Sequence, residues 1–251
     1  MIKGLFFTII FLLIAAIAAA FFTPLEFILK QTGVNRAGGG WASAEGNILQ
    51  GRINGFFVQT QSVGDVKLKL RPASLLSGRA TYDVTWSGAG GRGAGEVSLS
   101  SGTLSYENLR AQQQVRSIEG LAPAVRAIGG EVRLAEGAGR VTRQGCEEAS
   151  GTVSSDTLRL AASQYGKDFG EVSGPISCVD GAFVLNLVGR SASTADRITL
   201  SASASLLGQT SFVATVETAD RDLTFILPQI GFERRGNEWE YRHSANAGVI
   251  R

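Results

Sequence analysis

Histidine is almost missing from this sequence. A Ser-His-Asp triad or a multi-histidine metal site would have to be built around His243, the one histidine in 251 residues. It stands near the C-terminus beside Tyr241 and reads as a surface residue. Cysteine is nearly as scarce: Cys146 and Cys178 have no CxxC partner and no nearby histidine, so a zinc site is not indicated. Charge is thin as well, at 18% of residues with a formal net charge of +2, and the basic residues are scattered. That balance argues against nucleic acid or any other polyanionic partner. Only 5 prolines accompany 32 glycines, a composition suited to many short strands joined by glycine turns.

What the chain does have is an apolar N-terminus. Leu5 to Phe22 (LFFTIIFLLIAAIAAAFF) carries no charge, and as helix it is long enough to cross a hydrocarbon core of ~30 Å. Lys3 and the terminal amine lie on its short flank, which places that flank in the cytoplasm. Residues 1–25 are therefore read as a cytoplasmic end and transmembrane anchor. The competing reading is a cleaved signal peptide with its h-region at Leu5 to Ile14 and small residues from Ala15 to Ala20. Against it, the apolar run continues through Phe21 and Phe22. Either way the rest of the chain is exported, and an oxidising compartment favours a disulfide between Cys146 and Cys178 over two buried thiols. Closing that loop would stabilise the fold by about 3 to 4 kcal/mol in the chain-entropy model.

Residues 26–40 read as a juxtamembrane extension in which Phe27 to Thr32 continues helical and Gly38, Gly39 and Gly40 form a hinge. From Trp41 onward the dominant period is two. Val66 to Leu70, Ala80 to Trp86, Glu96 to Ser100, Thr103 to Leu109, Arg197 to Ser203 and Ser211 to Thr218 each alternate apolar and polar, as half-buried antiparallel strands do. The fold class expected is mainly β: a long curved antiparallel sheet or open β-groove over residues 41–251, with one or two short helices. Pro72 to Gly78 predicts a single turn of helix that starts on proline and stops on glycine. Val115 to Ile128 predicts a short or kinked helix, interrupted at Pro123. Two similar halves could meet near 115–130. Leu223 to Phe232 reads as a strand ending at Pro228, followed by a charged hairpin around Gly236 and Asn237 and a frayed end.

Few constellations invite chemistry. Gly88 to Gly95 (GAGGRGAG) formally contains G-x-G-x-x-G, but it lies between two alternating segments with no helix to follow, so it reads as a loop. The segment YGKD at Lys167 lacks the glycine and hydroxyl of a phosphate loop. Glu147 and Glu148 are adjacent in an extended segment and point apart, so they would not converge on a substrate. Asp220 and Asp222 lie on a turn without a third oxygen cluster for calcium. No catalytic, cofactor-binding or metal residue is assigned. Phe56, Phe57 and Trp86 are the candidate groove or interface residues: Phe56 and Phe57 are adjacent, so one of them must leave the core face and line a groove or meet a partner, unless two layers pack over both.

The order of features resembles the type II secretion system protein N family. The anchor is followed by Pro24 and Leu25, then by WASAEGNILQGRINGF, which is similar to that family's G-x-h-x-x-G stretch, h being apolar. VKLKLRPASLLSG then stands where the family has a strand, a proline and two leucines before glycine, and paired cysteines follow in the second half. A tryptophan commonly precedes that proline, whereas Lys69, Leu70 and Arg71 stand here. The resemblance implies a non-enzymatic, single-pass inner-membrane protein with a periplasmic β-domain, without cofactor or small-molecule substrate. Its partners would be other inner-membrane platform subunits of the secretion system and inner-membrane lipid. The domain also resembles lipid-groove proteins of envelope transport, which gives the alternative: a periplasmic module that binds lipid or bridges membranes.

Overall fold

A computed structural model of the chain describes residues 23–31, 38–119, 121, 123–206 and 209–246. The anchor residues Leu5 and Phe22 lie outside them. Among the described residues no helix is long and apolar enough to cross a membrane. The chain divides into two units, one ending at Ser98 and one beginning at Leu99. Both are mainly β, with antiparallel pairing, as the period-two alternation requires.

The first unit opens with α1 (Leu25–Gln31) and continues with β1 (Gly39–Gly40), β2 (Ser43–Gly46), β3 (Gln50–Val58), β4 (Gln61–Leu70), β5 (Ala80–Gly88) and β6 (Gly91–Ser100). Strands β3 to β6 are paired in sequence order, and β1 and β2 both pair with β3 on its other side. The core explains the register. Ile53 lies opposite Val66, and Val66 opposite Trp86, which puts alternate residues of three strands on one face. Leu25 of α1 is buried against Ile53 and Val66, with Leu29, Trp41, Phe56, Leu68 and Trp86 packed around them. The other face carries Arg52, Lys67 and Thr85, which are directly opposite one another. The glycines expected to form a hinge include a paired strand: Gly39 and Gly40 lie opposite Val58 and Phe57.

The second unit holds β7 (Thr103–Gln114), α2 (Pro123–Ile128), β8 (Glu131–Thr142), β9 (Gly145–Ser155), α3 (Thr157–Ser163), β10 (Val172–Val179), β11 (Ala182–Arg190), β12 (Arg197–Ser205), β13 (Gln209–Glu217), α4 (Arg221–Ile226), β14 (Glu233–Arg235) and β15 (Glu238–Asn246). The pairing order is β7-β8-β9-β10-β11-β12-β13-β15-β14. Val153, Val172 and Leu187 form its buried centre, and Leu158 of α3 packs onto them.

Several local expectations are corrected. The segment 88–95 is not a loop: Ala89 and Gly90 alone make the turn, and Gly91 already begins β6. Gly88 is needed because its φ is +127° and a Cβ there would stand 3.0 Å from Gly64 Cα. The short helix expected within 115–128 is present as α2, which starts at Pro123 where the missing N–H has no partner to lose, after a 3₁₀ turn at Val115–Ser117. Leu223 to Ile230 is α4 and a 3₁₀ turn instead of a strand, because Asp220 caps it: Oδ1 accepts the N–H groups of Asp222 and Leu223 at 2.9 and 3.2 Å. Of the end expected to fray, Ser244 to Arg251, Ser244 to Asn246 are strand paired with β13, and residues 247–251 lie outside the described residues. The expected helical turn is present as Pro72–Ser77 with Gly78 in the left-handed conformation.

Candidate docking surfaces

The residues considered in the sequence for chemistry are spread apart among the described residues. His243 lies on β15 opposite Phe212 and is exposed. Glu147 and Glu148 are both exposed on β9, and Glu148 faces Arg140 at 3.9 Å. Among the described residues no group of three or more histidines, cysteines and carboxylates is placed to hold a metal ion. An open depression of about 680 Å³ in the second unit is bordered by Asp196, Glu217, Asp220 and Glu238. Two of these acids already have partners: Asp196 accepts from the Thr194 hydroxyl at 2.6 Å, and Asp220 accepts from Lys167 Nζ at 2.5 Å.

The Lys167 contact was not legible in the sequence. Its ammonium also reaches Asp222 at 3.1 Å, so it ties the segment after α3 to the first turn of α4. The Lys167 hydrogen bond, aided by the Leu223 N–H, holds the Asp220 carboxyl below its ordinary range, while the two carboxylates raise the Lys167 pKa. In the first unit Arg71 bridges Asp83 and Glu96, each at 2.6 Å, which raises its pKa, through Asp83 first. These pairs fasten turns to strands.

Cys146 and Cys178 form a disulfide, with Cα atoms 5.7 Å apart. Its place explains its use. Pairing between β9 and β10 runs from Val172↔Ser155 only as far as Pro175↔Thr152, and the proline has no N–H to continue the ladder. Beyond that point the disulfide, and the Cys146 N–H donated to the Gly181 carbonyl at 2.9 Å, hold the two strands together.

Three aromatic candidates are separated by the register of the first unit. Phe56 and Trp86 pack against the buried core, whereas Phe57 is 41% exposed with its ring over Gly40. Asn54 and Gly55 interrupt the pairing of β3 with β4, so the strand changes register before Phe56.

Two features of the second unit bear on macromolecular contact. The first is the apolar face of β11 to β15, where Leu187, Gly189, Ala214 and Val216 are buried and Ile198, Leu200, Trp239 and Tyr241 are half-buried. The rows Leu187–Leu200–Ala214–Tyr241 and Gly189–Ile198–Val216–Trp239 cross four strands, and Leu185, Ala202 and Phe212 extend the face toward His243. Tyr241 sits between Phe212 and Phe232, with ring centroids at 6.4 and 5.6 Å. The opposite face is hydroxyl-rich: Ser201 donates to Asn186 at 2.7 Å and Ser203 meets Ser211 at 2.8 Å.

The second feature is the outer edge of β15. Strand β14 covers it only from Glu238 to Glu240. Arg235 and Glu238 close a two-residue hairpin, so their backbones exchange hydrogen bonds and the even-numbered residues of β15 send their N–H and C=O outward. Arg242 and Ser244 therefore present backbone groups to which no strand among the described residues is paired. Glu240 anchors the start of this edge through Arg242 Nη2 at 2.8 Å and Arg235 Nε at 3.1 Å, and the Arg242 hydrogen bonds hold its carboxyl below the ordinary range. In the sequence Arg242 reads as part of a charged hairpin and Ser244 as the start of a frayed end, so this edge is not visible there.

A family model described as type II secretion system (T2SS), protein N, matches residues 37–239, well over half of the chain and most of both units. No curated protein and no solved structure matches it.

Proposed function

From the premise that this chain belongs to the type II secretion system protein N family, and is thereby a component of the type II secretion machinery that meets other components of it, we propose that it is a non-enzymatic, inner-membrane assembly subunit that docks through the open edge of β15. The observation that carries the reading is that edge: Arg242 and Ser244 offer outward backbone groups beyond the end of β14. An extended segment of another platform subunit can add to it as a strand, with main-chain hydrogen bonds supplying affinity and the alternate side chains supplying selectivity. The uncharged run from Leu5 to Phe22 supplies the anchor, with the N-terminus in the cytoplasm and both β-units in the periplasm, where the Cys146–Cys178 disulfide is stable.

Ser244→Pro tests the edge. Proline at 244 removes an outward donor and leaves the contacts that odd-numbered residues make with β13 in place. Full-length protein carrying it is expected to lose at least tenfold in co-purification with the other inner-membrane secretion subunits while its circular dichroism is retained. Recovery of the whole complex at the wild-type level would refute edge docking.

One observation favours a second reading. The apolar face of β11 to β15 is continuous across the strands, and an acyl chain in the manner of an envelope lipid carrier would lie along its half-buried residues Ile198, Leu200 and Tyr241, since Leu187, Ala214 and Val216 are already covered. Lipid extracted from purified protein and identified by mass spectrometry, at about one equivalent and lost in Leu200→Asp, would support it. Protein free of lipid would set it aside.

A further inference from the structure

The end of the first unit at which α1 begins carries an exposed apolar turn, and we infer that this turn, Pro72–Ser77, enters the same bilayer surface from which the N-terminal segment emerges. The inference rests on the anchor reading above and adds a second membrane contact to it.

Its position follows from the register. Pro24, just before α1, forms a bridge with Asn47 in the turn between β2 and β3. Two residues on, the Leu49 carbonyl accepts the Leu70 N–H at 2.8 Å, and Leu70 is the last residue of β4. The Pro72–Ser77 turn follows at once and hands the chain to β5, whose Thr81 carbonyl accepts the Arg71 N–H at 2.8 Å. The described chain thus starts at the end of the sheet that holds this turn, and the apolar run ends at Phe22, two residues before Pro24. The hairpin turn at Gln59 and Thr60 lies at the other end of β3 and β4, roughly 30 Å away at ~3.4 Å per residue.

The turn is built for an apolar medium. Leu76 is 93% exposed and Leu75 51%, the former the most exposed of the large hydrophobic residues described. Their own backbone needs little from water. Pro72 has no N–H, the Gly78 N–H donates to the Leu75 carbonyl at 3.0 Å, and the Arg79 N–H donates to the Ser74 carbonyl at 3.3 Å. The Ser74 hydroxyl donates to the Arg71 carbonyl at 2.7 Å and accepts the Thr81 N–H at 3.0 Å, while the Ser77 hydroxyl donates to the Ser74 carbonyl at 2.7 Å. Irregular backbone enters lipid only when its polar groups find internal partners, as the Ser74 and Leu75 carbonyls do here. Lys69 and Arg79 are exposed on either side of the turn, the charge that an anionic phospholipid headgroup attracts. Phe27, in the first turn of α1, is 54% exposed at the same end.

The test uses full-length protein reconstituted into phosphatidylethanolamine–phosphatidylglycerol vesicles. Leu76→Cys, Thr23→Cys and Thr60→Cys are each labelled with a polarity-sensitive fluorophore, the native cysteines being paired, and quenched with lipids spin-labelled near the headgroup. The expected result is blue-shifted emission and at least twofold quenching at positions 76 and 23, with position 60 unchanged. Quenching at 23 with position 76 as unquenched as 60 would overturn the inference and leave the anchor intact. Absence of quenching at both 23 and 76 would overturn the anchor and the inference together.

Discussion

Leu25 occupies the space that a side chain on Gly51 would fill: a Cβ at Gly51 would stand 2.4 Å from Leu25 Cδ2. This contact seats α1 on β3, within the GNILQGRINGF stretch that carries the family likeness. Gly51→Val is therefore expected to push Leu25 out and release α1, and Leu25→Ala to do the same by removing about 2 to 5 kcal/mol of local packing. Amide hydrogen exchange over Phe27 to Gln31 is the measurement. In both variants it should accelerate by an order of magnitude or more, with the strands around Val172 unaffected.

The disulfide closes a separation of 32 residues across a place where the β9–β10 ladder has stopped. The double variant Cys146→Ser, Cys178→Ser should lose about 3 to 4 kcal/mol in urea unfolding, by the loop-closure estimate. Wild-type protein measured with reductant should fall to the same midpoint. Purified exported protein should take up no alkylating reagent until it is reduced, and full labelling of both thiols without reductant would remove this account.

Asp220 gives the second unit an acid-sensitive joint. Its folded pKa is lowered by Lys167, so its contribution to stability is fully present above the unfolded carboxylate value of about 3.9 and disappears as pH falls through the lower folded value. Asp220→Asn keeps an oxygen to cap α4 and loses the ion pair. Its urea midpoint should lie below wild type at pH 7, and the gap should narrow as the pH is taken below 4. A gap of constant size from pH 7 to pH 3 would show that the pair with Lys167 is not its source.

How much of this was legible depended on what each residue type was used for. Alternation in Val66 to Leu70 or Arg197 to Ser203 has a single structural cause, a strand with one buried face, so those elements were found with their faces. Helices α3 and α4 have 7 and 6 residues, too few for a 3.6-residue period to show, and Leu223 to Ile226 has the branched and aromatic content of a strand. The capping aspartate at position 220 was the available signal. Glycine misled most. Gly40 and Gly88 were taken as breaks, whereas Gly40 lies under the Phe57 ring and Gly88 beside Gly64, both inside paired strands. At the candidate surfaces Phe57 and the paired cysteines were visible as residue types, but the open edge at Arg242 and Ser244 exists only through the shortness of β14.

The same distinction separates two glycines of the second unit. A Cβ on Gly174 would stand 1.8 Å from the Asn186 carbonyl oxygen, a backbone atom that no side-chain rotation can move. Gly174 lies between the β10–β11 pairs Ser173↔Val188 and Ile176↔Leu185, where two residues on each strand are out of the ladder and the chains crowd together. Gly170, just before β10, would place its Cβ at 3.8 Å from the Arg190 carbonyl oxygen, an ordinary contact, and its φ is not positive. Gly174→Ala must separate β10 from β11 beside the buried Val172 and Leu187, so it should lower the urea midpoint by an amount comparable to a lost core side chain, about 2 to 3 kcal/mol. Gly170→Ala should be neutral or raise stability by about 0.4 to 1 kcal/mol, because alanine restricts the unfolded chain and meets no obstacle in the folded one. Equal effects of the two substitutions would mean that close backbone approach is not what holds glycine at 174.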